Sequence, residues 1–127
     1  MFSKASVLGL CFALLAPVAL AASTDELHSA FATCTGRLSA QAEHERSHDA
    51  PHLQNTETLL GHFRDLLDAT SETVNWRDSI DMRVRAKLAH KAILTRATVN
   101  DNPQDAAWAE NRAQREIARC RNLLLGG

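Results

Sequence analysis

The segment of this sequence with the clearest chemical pattern lies near position 45, where residues 44–48 read His-Glu-x-x-His. On a helix this spacing places two imidazoles on one face with a glutamate beside them, the arrangement by which zinc proteases hold a metal and a general base. Three residues disfavour the protease: Arg46 puts a charge between the ligands, Pro51 follows closely, and Gln54 stands where a third histidine would follow. No segment predicts the strand that such enzymes use to bind substrate. We therefore interpret the match as fortuitous and expect no enzymatic activity.

The same histidines support a weaker hypothesis, a transition-metal site. His44 and His48, one helical turn apart, can share a zinc, copper or nickel ion, and Asp49 or His52 can complete the coordination. The competing interpretation is a solvated helix end, where imidazole interacts favourably with the helix dipole. We favour the solvated end and expect no cofactor, with metal binding as the alternative. The remaining histidines, His28, His62 and His90, are isolated from one another in the sequence, and we expect surface or boundary positions for them.

The N-terminal residues are typical of an export signal. Lys4 precedes an uncharged apolar run over residues 5–20, and the run ends in Ala19-Leu20-Ala21-Ala22, a pattern of small residues that signal peptidases accept. We expect a cleaved signal peptide at residues 1–21, cut after Ala21 or alternatively after Ala22. The apolar run is short for a membrane span and contains Pro17. The prediction is a periplasmic or secreted protein without a membrane span after cleavage, with residues 22–127 as a single helical domain.

Two cysteines remain after the leader, because the third, Cys11, lies within it. An even number of cysteines in an exported chain predicts a disulfide, here between Cys34 and Cys120. The two residues are 86 positions apart. In the chain-entropy model, closing a loop of that length stabilises the folded state by about 4–5 kcal/mol.

Leu, Ala, Arg and Glu dominate the chain after the leader, and the spacing of apolar residues follows a helical period. Four helices are predicted, over Asp25–Ser47, Glu57–Ala69, Trp76–Val99 and from Pro103 onward. Their expected N-caps are Ser23 or Thr24, Asn55 or Thr56, Asn75 or Ser71, and Asn102. Because the connections are short, we expect an all-α four-helix bundle, up-down-up-down, with the disulfide joining the first and last helices.

The third predicted helix carries two apolar lines, one of which contains Ile80, Val84 and Leu88. The second line contains Met82, Ala86, Ala89, Ile93 and Ala97. Two apolar lines predict that this helix packs against two neighbours.

The charge distribution suggests where a partner could bind, since the first half of the chain after the leader is acidic and the second half basic. Trp108 shares a helix side with Arg112 and Arg115, and aromatic and arginine side chains often dominate binding surfaces. The alternative is that Trp108 covers the end of the core and that acidic and basic helices pack together. Interspersed acids and the absence of interleaved aromatics disfavour nucleic acid. The sequence favours a non-enzymatic binding module for a protein or an anionic envelope component; the alternative is a periplasmic metal-binding protein.

Overall fold

The computed structural model describes residues 22–126, which form four α-helices and one short 3-10 turn. The helices are α1 (Thr24–Ser47), α2 (Leu53–Ala69), α3 (Trp76–Thr98) and α4 (Pro103–Leu124), and the turn is Ser71–Thr73. The prediction of an all-α four-helix bundle is confirmed, with no strand in this part of the chain. The leader and its expected cleavage point after residue 21 lie outside the described residues. None of the helices between residues 22 and 126 has an apolar stretch long enough to cross a membrane.

Side-chain caps define the first residues of three helices. The Ser23 hydroxyl accepts from the Glu26 N–H at 3.2 Å while the Glu26 carboxylate accepts from the Ser23 N–H at 3.0 Å, a reciprocal capping box. Asn75 begins α3 by accepting from the Arg77 N–H at 2.9 Å. Asn102 begins α4 in the same way, followed by a proline at the first helical position. These caps are among those expected from the sequence.

The predicted start of α2 was wrong, because this helix begins at Leu53 rather than at Glu57. His52 is its N-cap and makes no side-chain capping bond; its backbone already has helical dihedral angles of φ −91° and ψ −3°. Thr56, one of the expected caps, is instead buried inside the helix. The turn after Pro51 therefore continues directly into the helix without needing a polar side chain to start it.

The core is centred on the disulfide between α1 and α4. Cys34 and Cys120 are bonded, with Cα atoms 5.6 Å apart, as predicted. Phe31 and Phe63 pack around them with ring centroids 6.1 Å apart, together with leucines of α1 and α2 (Leu38, Leu60 and Leu67). Helix α1 contacts all three other helices, whereas the backbones of α2 and α4 come close to each other at few points and these two helices meet through core side chains.

Helices α1 and α3 approach closely at Gly36. A Cβ atom built on Gly36 would overlap the Arg83 carbonyl oxygen and would lie 2.9 Å from both the Ala86 Cβ and the Lys87 nitrogen. Two of these three neighbours are backbone atoms and cannot move aside as a flexible side chain can. Only glycine therefore allows this helix crossing.

The close crossing overturns one prediction about α3. The Ile80, Val84 and Leu88 line was expected to be buried, but these side chains are 46%, 48% and 60% exposed, and Trp76 on the same ridge is 65% exposed. The close contact at Gly36 turns Ala86 toward α1, so the ridge that starts at Trp76 faces away from the bundle. Its partly buried neighbours lie on the other predicted line, which includes Met82.

His28 corrects a second prediction, since it was expected at the surface and is only 1% exposed. The Thr70 hydroxyl donates to the Leu66 carbonyl at 3.0 Å, so the Thr70 oxygen accepts from His28 Nδ1 at 2.8 Å. The opposite ring nitrogen, Nε2, lies 2.9 Å from the Ser79 hydroxyl. The His28 imidazole thus joins α1 to the end of α2 and the start of α3.

We predict opposite effects for alanine at two helical glycines. Gly36→Ala should lower the free energy of unfolding by about 2 kcal/mol, because the overlap with α3 outweighs the better helix propensity of alanine. Gly61→Ala should raise it by about 0.5–1 kcal/mol, since a Cβ there meets nothing within 4 Å. Urea denaturation of both variants measures the two effects. A neutral or stabilising Gly36→Ala would contradict the described helix crossing.

Candidate functional site

A polar cleft of about 580 Å³ opens at the end of the bundle where α1 ends and α2 begins. We call it the end cleft. All four helices contribute residues to its wall, and the backbones of α2 and α4 come close to each other at few points. Its polar lining includes Gln41, His44, Glu45, His52, Glu110 and Gln114.

Glu45 is the buried acid of the end cleft, with 8% of its surface exposed. Its Oε1 accepts from the Gln41 side-chain amide at 3.0 Å. Its Oε2 is buried and has no hydrogen-bond partner among residues 22–126. Leaving a buried acceptor without a donor is unfavourable by about 1–3 kcal/mol, and by more for a charged group. Glu45 Oε2 is therefore a buried acceptor that receives no hydrogen bond from residues 22–126.

The Gln41 amide connects Glu45 to a second buried histidine, His90. Because the Gln41 nitrogen donates to Glu45, its carbonyl oxygen faces His90 and accepts from Nε2 at 2.9 Å. His90 is 1% exposed, which corrects the prediction that it lies at the surface or boundary. Burial lowers the pKa of His90, the nearby Arg37 and His44 lower it further, and Glu116 only partly opposes them. The imidazole is therefore neutral at neutral pH.

Glu116 is a second buried acid, but its oxygens are fully engaged. Arg112 donates to its Oε1 at 2.8 Å, Arg37 lies 3.5 Å from its Oε2, and His90 Nδ1 lies 3.3 Å from the same oxygen. Burial raises the pKa of Glu116, but the hydrogen bond from Arg112 and the charge of Arg37 bring it below its usual value. The neutral His90 ring carries its hydrogen on Nε2, so its Nδ1 only contacts this carboxylate and does not donate to it. Glu116 is therefore an ionised carboxylate whose charge is compensated by Arg37 and Arg112. Glu45 differs in that one of its oxygens has no hydrogen-bond partner among residues 22–126.

The expected metal ligands are brought together only in part. The His44 and His48 rings lie against each other with centroids 4.2 Å apart, and His44 shares the end cleft with His52. His48 and Asp49 are exposed and do not line that cleft. Burial and the neighbouring His48 lower the pKa of His44, with Glu45 opposing them. Within residues 22–126, no three histidine, cysteine, aspartate or glutamate side chains cluster as a metal would require.

The expected partner surface is also rearranged. Trp108 is 46% exposed, and the guanidinium that stacks on it is that of Arg96, 4.8 Å from the ring centroid. Arg112 is bonded to Glu116 instead, while Arg115 is exposed. Arg96 also donates to Asp105 at 2.7 Å, so this stack joins the end of α3 to the start of α4.

The sequence does carry a signal for both buried acids, although our reading of it missed them. The apolar stripe of α1 includes Cys34, Leu38 and Ala42, and the next position at helical spacing is Glu45. In the same way Glu116 falls between Ala113 and Cys120 on the stripe of α4. A glutamate at a core position of a helix is rare enough to mark a site. Glu45 also lies within the metal motif at residues 44–48, which points to the histidines as ligands rather than to Glu45.

Fold and site together define a small disulfide-linked four-helix bundle with a polar cleft at one end. Comparisons of the chain with protein-family models, with curated proteins and with solved structures give no match. The case for a function therefore depends on the geometry of the cleft.

The lowered pKa of His90 predicts how stability depends on pH. Below about pH 6.5 the unfolded chain gains a proton on this histidine that the folded chain does not bind, so stability falls as pH falls from about 7 toward 5. One such group contributes at most about 1.4 kcal/mol per pH unit. Glu116, whose pKa is lowered from 4.5, stays ionised across this window.

The check is urea denaturation between pH 7.5 and 5 of the wild type and the His90→Gln variant. His90→Gln should reduce the slope of stability against pH, with His44 supplying part of what remains. Equal slopes in the wild type and in His90→Gln would contradict the neutral buried state of His90.

Proposed function

We propose that this protein is a non-enzymatic binding module that acts in an oxidising compartment outside the cytoplasm, in the periplasm or the medium, and holds a small ligand in the end cleft. The cleft volume of about 580 Å³ lies within the range of about 300–1,000 Å³ that small-molecule sites occupy. Export is supported by the leader pattern at residues 1–21 and by the disulfide.

The observation that carries the proposal is the unpartnered oxygen of Glu45. A purely structural buried carboxylate is expected to have all its oxygens bonded, as those of Glu116 are. A buried carboxylate with only one oxygen hydrogen-bonded destabilises the folded state, unless a bound molecule donates a hydrogen bond to the second oxygen. Binding sites commonly retain such groups at the expense of stability.

The cleft supports binding better than catalysis. Two hydroxyl residues, Thr56 and Thr98, stand in its wall, and Thr98 donates to the Leu94 carbonyl at 3.0 Å. Chemistry by an activated nucleophile requires a hydroxyl or thiol within hydrogen-bond reach of a base. Among residues 22–126, neither threonine hydroxyl is hydrogen-bonded to an imidazole or a carboxylate.

The test is to replace the Glu45 carboxylate by a neutral amide. Glu45→Gln keeps the oxygen that accepts from Gln41 and removes the buried charge, so without ligand it should raise the free energy of unfolding by about 1 kcal/mol. For a domain of this size the melting temperature should rise by about 4–8 °C.

The matched control is Glu72→Gln, which removes the same charge from an exposed position in the turn at the opposite end of the bundle. It should change stability by less than about 0.5 kcal/mol. If Glu45→Gln instead destabilises the protein by 1 kcal/mol or more, Glu45 is a structural acid and the proposed binding function loses its basis.

A second candidate function is transition-metal binding by His44 and His48, favoured by the contact between their rings. The His48 Nδ1 lies 2.7 Å from the His44 carbonyl oxygen, which can only accept. Nδ1 therefore carries the hydrogen, and in the neutral ring Nε2 presents its lone pair to solvent as a potential ligand.

Zinc chloride should then raise the melting temperature of the wild type and leave that of a His44→Gln/His48→Gln variant unchanged. At a hundredfold excess over the dissociation constant, the stabilisation would be about 2.7 kcal/mol. An equal shift in both proteins, or in neither, would exclude this pair as a metal site.

A further inference from the structure

The chemistry of the end cleft specifies a class of ligand, an inference that rests on the proposed binding function. We propose that the cleft binds a primary ammonium group carried on a short hydrocarbon chain, with the unpartnered oxygen of Glu45 as its anchor. Glu45 lines the cleft and is 8% exposed.

A second carboxylate, that of Glu110, lies at the same level of the bundle as Glu45. Helices α1 and α4 run in opposite directions, and the disulfide places Cys34 beside Cys120. Moving eleven residues along α1 from Cys34 leads to Glu45, and moving eleven residues back along α4 from Cys120 leads to Ala109, next to Glu110. Both steps cover about 16 Å in the same direction along the bundle. Both carboxylates line the end cleft.

The arginines near this acidic end are engaged elsewhere or distant, and Lys91 is an exposed side chain that lines a neighbouring pocket rather than the end cleft. Arg37 and Arg112 contact Glu116, and Arg46 pairs with Glu57 on the protein exterior. Arg121, the arginine in the cleft wall, lies eleven residues beyond Glu110 on α4, about 16 Å along the helix. This separation exceeds the Debye length of about 8 Å at physiological salt, so Arg121 does not neutralise the acidic end.

The hydrogen-bond geometry favours an ammonium group over a guanidinium group. A guanidinium binds a carboxylate best through two parallel bonds, one to each oxygen. At Glu45 the Oε1 atom is already occupied by the Gln41 amide, so only Oε2 is available. A compact ammonium needs a single acceptor oxygen at each contact and can direct its other hydrogens elsewhere.

The rest of the cleft wall suits a short aliphatic chain. Leu94 and Ala97 line it from α3, and Ala113 and Ile117 line it from α4. Ala113 and Ile117 follow Glu110 along the helix at three- and four-residue spacing and therefore extend from the acidic end on one helix face. A hydrocarbon chain attached to the ammonium would lie along this apolar strip.

The test uses three probes of equal chain length: n-butylammonium chloride, 1-butanol and sodium butyrate. Each is titrated into the 15N-labelled protein, purified after export with its disulfide formed, and amide chemical shifts are followed. Butylammonium should give saturable shifts at Glu45, Thr98 and Glu110, with an affinity at least about tenfold higher than that of butanol. Glu45→Gln should lower this affinity about tenfold, and Glu72→Gln should leave it unchanged. The amide spectrum of each variant shows that it is folded.

The outcomes separate the ligand class from the binding function. Saturable shifts at the cleft that are equal for butanol or stronger for butyrate would overturn the ammonium class while supporting the cleft as a binding site. Butylammonium binding that Glu45→Gln does not weaken would overturn Glu45 as the anchor. If none of the three probes shifts the cleft residues at saturating concentration, both the ligand class and the small-molecule function of the cleft are refuted.

Discussion

The close contact between α1 and α3 at Gly36 is the constraint on which the rest of the structure depends. Backbone meets backbone there, since the Arg83 carbonyl and the Lys87 nitrogen occupy the space that any side chain would need. With these two helices forming the centre, α2 packs on α1 and α4 packs mainly on α3, and the backbones of α2 and α4 come close to each other at few points. Residues of all four helices line the end cleft.

The disulfide then fixes the register of the fourth helix against the first. Without the bond between Cys34 and Cys120, α4 would be held mainly by its packing on α3, since its direct contact with α1 is limited. Because the bond closes a loop of 86 residues, it is expected to stabilise the folded state by about 4–5 kcal/mol in the chain-entropy model. It also sets Glu45 and Glu110 at one level, so the same covalent link serves both stability and the charge pattern of the cleft.

The two buried acids of the bundle, Glu116 and Glu45, differ in how their carboxylate oxygens are paired. Glu116 is surrounded by Arg37, Arg112 and His90, and its pKa is lowered despite burial. Glu45 receives one amide bond and keeps one oxygen without a partner. Gln41 joins the two clusters, because its amide bonds Glu45 on one side and His90 on the other. The arrangement fixes the orientation of the Glu45 carboxylate without satisfying it.

Much of the fold could be predicted from the sequence because its signals are local. The caps Ser23, Asn75 and Asn102 each satisfy backbone donors within three residues, and the cysteines lie on apolar stripes. The exposed ridge at Ile80 could not be predicted, because the rotation of α3 is set by the distant Gly36, and helical periodicity does not specify which apolar line meets a neighbour.

The cleft could not be predicted from the sequence either. Residues of all four helices line it, so its existence depends on packing between segments far apart in the chain. The buried position of Glu45 could have been recognised from the stripe of α1, but the missing donor to its second oxygen is visible only in three dimensions. His90 is a similar case, since its partners Gln41 and Glu116 belong to two other helices.

The most direct measurement of the central claim is a high-resolution crystal structure of the protein with its disulfide formed. The account predicts that Glu45 stays buried with one oxygen bonded to the Gln41 amide, while the other meets only a solvent molecule or a bound ligand in the end cleft. A protein donor within hydrogen-bond distance of each Glu45 oxygen, or a Glu45 side chain turned out into solvent, would contradict it.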